Sequence, residues 1–234
     1  MKHSILFDPS FSIVEIELEP NEVLQAKAGA MVSRSSNVDM DTRLNAGASV
    51  GFLQKLKSIF IALLKKALGG ESFFINEFRP NNGQNASITI APVLTGSVIH
   101  KKLNNGTITL QGGAYLASIG DLSVKVKFAG LKALFSGHGL FFLEITGTGD
   151  LFFSAYGGVF QKTVNGKFTL DTGHLVGFDG DLDYQIGKAS SGLATAFFSG
   201  EGLVMNFSGS GSIYIQSRNV GALLDFVNPR LPQT

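Results

Sequence analysis

The sequence predicts an all-β protein: three pseudo-symmetric β units in one chain, with one amphipathic α-helix inserted in the first. Three observations carry that reading. Glycine supplies 29 of 234 residues, well above the ordinary share of roughly 7%, and it costs roughly 1 kcal/mol against alanine inside a helix. Short apolar runs alternate with polar residues at period two, the pattern of a half-buried strand. One block of sequence also recurs three times in one register.

The first unit, residues 5–96, contains SIVEIELEPNEVLQAKAGAMVS. The second, residues 97–156, contains SVIHKKLNNGTITLQGGAYLAS, and the third, residues 157–220, carries the matching AYGGVFQKTVNGKFTLDTGHLVGF, which begins at Ala155. In each an Asn precedes a Gly by eight positions: Asn21 and Gly29, Asn105 and Gly113, Asn165 and Gly173. Nine positions beyond those Gly residues come Val38, Leu122 and Leu182. A second block, GGESFFINEF, SGHGLFFLEI and SGEGLVMNFS, follows in the same order. Residues 1–234 therefore read as a single triplicated domain, with 221–234 as a C-terminal tail.

VEIEL, TITL, VKVKF, KFTL and DYQI alternate as strands should. Asn105-Gly106 and Asn165-Gly166 lie between such runs, and Asn-Gly predicts hairpin turns because both central residues need φ > 0. Four or five short strands per unit are expected.

The helical insertion is GFLQKLKSIFIALLKKAL, residues 51–68. Phe52, Leu56, Ile59, Phe60, Leu63 and Leu64 fall on one face at helical spacing, and Lys55, Lys57, Lys65 and Lys66 fall mostly on the other. Four Lys, each costing roughly 3 kcal/mol near a bilayer centre, argue against a spanning role. The helix either packs against the β body or a second subunit, or makes a peripheral membrane contact.

Composition excludes several function classes. Hydrophobic residues at 44% and charged residues at 16% exclude disorder. A net charge of +1 gives no global field to draw nucleic acid. With no Cys there is no disulfide framework, thiol nucleophile or Cys-type zinc site. MKHSILFDPS lacks the apolar run of a signal peptide, and a cytoplasmic protein is expected.

Candidate chemistry is sparse. Glu71, His138 and Glu201 follow the repeat Gly of the second block in successive units. Two carboxylates and an imidazole make a metal set if they converge, and three separate polar turns if they do not. His174 follows Asp171, which invites acid–base chemistry, yet Ala30 and Ala114 hold the same slot elsewhere. His3 and His100 have no acidic or nucleophilic sequence neighbours that suggest a site. Lys101, Lys102, Lys125 and Lys127 read as solvated strand faces. No nucleophile elbow or phosphate loop occurs. No cofactor is expected.

AGAMV (28–32), GESFFIN (70–76), GGAYLAS (112–118), DTGHLVGFD (171–179) and FSGEGL (198–203) resemble the altered-inheritance-of-mitochondria family, whose bacterial members are mostly uncharacterised. The resemblance implies a fold similar to the tryptophan-RNA-binding attenuator protein, of β-sandwich or double-stranded β-helix type, triplicated and often trimeric. It brings no catalytic residue with it. The expected function is a non-enzymatic oligomeric scaffold, most simply a homotrimer, or a protein-interaction protein. The alternatives are a small-ligand or RNA binding module using crevices between units, and a membrane-peripheral protein using residues 51–68. Nucleic acid is not an expected partner.

Overall fold

The structure, a computed structural model, describes residues 1–44, 74–128, 141–188 and 203–231. The predicted helix 51–68 lies outside the described residues. Among those described, short strands come first: β1 (Lys2–Leu6), β2 (Ile13–Leu18), β3 (Leu24–Lys27), β4 (Met31–Arg34), β5 (Val38–Leu44), β6 (Phe74–Pro80) and β7 (Ala86–Ile90). Long strands follow: β8 (Val98–Gln111), β9 (Tyr115–Phe128), β10 (Phe141–Ser154), β11 (Val159–Asp171), β12 (Leu175–Lys188) and β13 (Leu203–Gln216). A helix, α1 (Val220–Val227), comes next, where the sequence suggested only a tail. Asn219 starts it by accepting from the amides of Gly221 and Ala222.

The strands form two antiparallel sheets, ordered β1-β2-β7-β4 and β11-β13-β12-β8-β10-β9-β3-β6-β5. The fold is therefore all-β. In residues 97–156 the third strand lies between the first and the second, β8-β10-β9, and residues 157–220 repeat that order as β11-β13-β12. The first segment has the same order in two pieces. β2-β7-β4 lies in the smaller sheet and β3-β6-β5 in the larger. Each strand that runs unbroken in the later segments is cut in the first, around Asn21, at residues 35–37 and at residues 81–85.

Neighbouring segments join in one register. Leu24, Gln25 and Ala26 on β3 face Ile119, Ser118 and Ala117 on β9. Ile108, Thr109 and Leu110 on β8 face Asp179, Phe178 and Gly177 on β12. Counted from the repeat Asn and Gly, these are equivalent residues. The segment starts are also tied in line, with Ser12 donating its amide to the Gly96 carbonyl and Ser97 to that of Gly157.

Long strands impose a bend. Asn105 has φ +49° and Gly166 φ +111°, but both lie in mid-strand, within β8 and β11. The Asn-Gly pairs are therefore not hairpin turns, and among the described residues each later segment has three long strands in place of four or five short ones. Positive φ here turns the strand without ending it. The partner strands bend beside these points. Gly147 on β10 has φ +135° and Gly209 on β13 has φ +121°. A Cβ at Gly147 would stand 2.1 Å from the Asp121 carbonyl oxygen, and one at Gly209 would stand 2.2 Å from that of Asp181.

β10 serves three apolar clusters. Phe152 packs with Val14, Ile16, Ile88, Ile90 and Leu116. Phe153 and Leu143 point the other way, toward Ile108, Leu110 and Tyr214, and Phe142 joins Phe178, Phe207 and Ile215. A strand buried on both faces reads as an apolar run, which accounts for FFLEI and LFF.

Replacing Gly147 or Gly209 with Ala should destabilise the protein by about 2–4 kcal/mol in urea unfolding, since backbone strain and a clash with a carbonyl oxygen add. Gly113→Ala, with open space around its Cβ, should change stability by less than about 0.5 kcal/mol. Equal costs at all three sites would refute this account of the bend.

Candidate functional site

Glu71, His138 and Glu201 lie outside the described residues, as do Phe52, Lys55, Leu56, Lys57, Ile59, Phe60, Leu63, Leu64, Lys65 and Lys66. Among the described residues no three His, Asp or Glu side chains are grouped to hold a metal ion.

His174 and Asp171 are three residues apart in sequence but face different partners. The Asp171 carboxylate accepts from the Gly173 amide at 2.7 Å, while His174 Nδ1 lies 2.7 Å from the Gln216 carbonyl oxygen. Gln216 in turn donates to the Gly173 carbonyl and accepts from the Tyr156 amide. The group closes the third segment; it is not arranged as an acid–base pair.

Two polar groups that sequence neighbourhood did not reveal sit on the seams between segments. Beside the first seam, within residues 97–156, His100 Nε2 lies 2.7 Å from Asp150 Oδ1. The His3 ring from β1 lies 4.2 Å from the His100 ring and 5.1 Å from that of Phe152, centroid to centroid. Burial lowers the His3 pKa below its ordinary 6.5, and the His100 ring pushes the same way against the pull of Asp150. At the second seam Lys101 Nζ meets Asp179 Oδ2 at 2.9 Å and donates to the Tyr214 hydroxyl at 3.0 Å. Burial pulls the Lys101 ammonium down, but the bonds to Tyr214 and Asp179 outweigh it and hold its pKa above the usual value. Desolvation raises that of Tyr214. Lys127 is ion-paired with Glu144. The His3–His100 ring contact and the bonds of Lys101 to Asp179 and Tyr214 are the ones that cross from one segment to the next.

The exposed feature of most chemical consequence is apolar. Phe7, Phe11 and Val93 are exposed to 70%, 69% and 75%, with Met31, Val32 and Leu94 exposed beside them. All belong to one end of the smaller sheet, because Leu6 pairs with Ile13 and Ile90 lies between Val14 and Met31. The loop there is tightly held. Ser10 and Phe11 donate their amides to the Phe7 carbonyl, and the Ser12 hydroxyl bonds Asp8 at 3.0 Å. Phe7 itself has φ +60°, rare for a bulky side chain and a sign that surrounding bonds fix it.

The profile of the family described as Mitochondrial biogenesis AIM24 matches residues 3–218. The chain belongs to that family. An uncharacterised protein of Streptococcus pyogenes serotype M6 is 31% identical over 235 residues, spanning 99% of this chain and 92% of the relative. The crystal structure of a Streptococcus pyogenes protein superposes with a TM-score of 0.78 at 29% identity, over 98% of this chain and 99% of that one. The resemblance read from the five sequence blocks is thus shown, and these AIM24 relatives are uncharacterised bacterial proteins.

The His3 environment has a consequence in solution. Its folded pKa lies below the unfolded value, so the unfolded chain takes up the proton more readily. Stability should fall as pH drops through about 6.5 and level off below the folded His3 value. Urea unfolding at about pH 7.5 and 5.5 should show a smaller pH effect in His3→Gln than in the parent. The same pH effect in both would exclude His3 as its source.

Proposed function

We propose that this AIM24 protein is a non-enzymatic, self-associating scaffold, a trimer working in the cytoplasm, that presents an apolar surface to protein. The observation that carries this reading is the exposed end of the smaller sheet, where Phe7 and Phe11 stand on a hydrogen-bonded loop and Met31, Val32, Val93 and Leu94 are exposed at the same end. Exposed apolar groups collected at one end of a sheet mark interaction sites. A rigid loop loses little conformational freedom on binding, which favours affinity.

Other features point the same way. The recurring strand order and the equivalent seam registers favour a pseudo-three-fold repeat, a construction that serves architecture more readily than chemistry. His174 and Asp171 are committed to backbone partners. Lys101 and Lys127 are held in ion pairs, which leaves them poor phosphate contacts. A depression lined by Lys2, Glu17, Glu19, Pro20 and Asn85 measures about 220 Å³, below the roughly 300 Å³ at which small-molecule pockets begin.

Sedimentation equilibrium at micromolar concentration tests the reading. The expected result is the mass of three chains. A monomer under those conditions overturns self-association.

A further inference from the structure

The two seams inside the chain define a rule: the first strand of one segment pairs with the second strand of the next. β3 pairs β9, and β8 pairs β12, through equivalent residues in one register. The rule also names the residues of a third seam. Counting from Asn165 and Gly29, Phe168, Thr169 and Leu170 on β11 would face Ser35, Arg34 and Ser33 at β4. Among the described residues that seam is not made. β11 ends the larger sheet and β4 ends the smaller one.

Burial shows that both sides are unfinished. Leu24, Ala26, Ile108 and Leu110, the seam-forming apolar residues of the first two segments, are all 0% exposed. Their equivalents Phe168 and Leu170 are only partly buried. On the other side, Tyr115 and Leu116 are 2% and 1% exposed, and Leu175 and Val176 are 1% each. The equivalent Met31 and Val32 are 39% and 59% exposed. The same sequence slots are apolar in all three segments, yet they are covered only where a seam exists.

We infer that a second copy of this chain completes the seam, β11 of one copy pairing antiparallel with β4 of the next, Thr169 opposite Arg34. The occupant follows from continuity with seams already built twice, since β4 and β11 carry the complementary halves of one interface. Such contact is head-to-tail: it closes into a ring where the rotation per copy permits, and extends as a filament where it does not. Strand-to-strand pairing would satisfy two edge strands that are otherwise open to adventitious pairing. This assignment rests on the self-association proposed above and adds its geometry.

The absence of Cys makes the test clean. Arg34→Cys and Thr169→Cys chains are purified separately, mixed under mild oxidation and run without reductant. Opposed residues in an antiparallel pair lie about 5 Å apart between Cα atoms, within disulfide reach. The mixture should give a covalent dimer that reductant removes, and each variant alone should give little. A parent that sediments as an oligomer while the mixture fails to cross-link overturns the seam and leaves self-association standing. A monomeric parent overturns both. Cross-linking of either variant alone as strongly as the mixture also overturns the head-to-tail arrangement. Val32→Lys, at an exposed position, should keep the parent's circular dichroism and lose the oligomer at micromolar concentration. An oligomer as tight as the parent's would count against the seam.

Discussion

The structure depends on strands that bend in the middle without breaking. A fourteen-residue strand such as β10 is too long to stay flat against one core, because sheet twist turns its ends toward different directions. Gly147 takes φ +135° at the bend, where its missing Cβ lets the Asp121 carbonyl approach, and Gly209 does the same against Asp181. The halves on either side of the bend then serve different cores. Phe142 packs with Phe178 and Phe207 near one end, and Phe152 packs with Ile16 and Ile88 near the other. With side chains beyond glycine at these crossings, the strands would separate and the clusters with them.

The first segment solves the same problem by other means. Where β8 and β11 run through Asn105 and Asn165, the chain at Asn21 turns, and the Glu22 amide donates to the Glu19 carbonyl at 3.0 Å. Its third strand is cut at residues 81–85, where Asn37 bonds Asn82 and Asn85 across the gap. Cutting frees β2, β7 and β4 to form a separate sheet. That sheet covers Phe152 and Leu116 through Val14, Ile16, Ile88 and Ile90. It also ends in the exposed group around Phe7 and Phe11. The departure from the repeat and the candidate interaction surface are therefore one feature.

The matching registers of residues 97–156 and 157–220 were legible because equivalent backbone positions need equivalent residues: Asn105 and Gly166 sit at the bends of β8 and β11, and Leu122 and Leu182 fall on β9 and β12. The hairpin reading of Asn-Gly failed for a physical reason. The dipeptide specifies positive φ, and whether that yields a turn or a bend depends on the strand beside it, β10 for Asn105 and β13 for Asn165. The seam groups were illegible because they span the chain. His100 and Asp150 are fifty residues apart, and Lys101 and Tyr214 more than a hundred. Neither pair leaves a local pattern. The exposed end was equally hidden, since Phe7 and Val93 meet at one sheet end only through the β2–β7 pairing.

The seams are alike in backbone and unlike in side chains, and that difference has a use. At the position where the first seam buries Ile119 against β3, the second carries Asp179, bonded to Lys101. Docking the first segment against β12 would leave the Asp179 carboxylate without that ammonium, and docking β8 against β9 would set Lys101 beside Ile119. Each mistake desolvates a charge with no partner, typically at a cost of several kcal/mol, while the correct arrangement pairs it. Identical registers would otherwise let three similar segments exchange places during folding. The ion pair thus selects one order among them, as a penalty on wrong partners more than a reward for the right one. At the unmade seam the corresponding positions are Gln161 and Ser35. Both are neutral, and the charged Arg34 on that edge donates to the Val38 carbonyl of its own chain. The unfinished edges differ from the finished ones in uncovered apolar area, at Met31, Val32, Phe168 and Leu170.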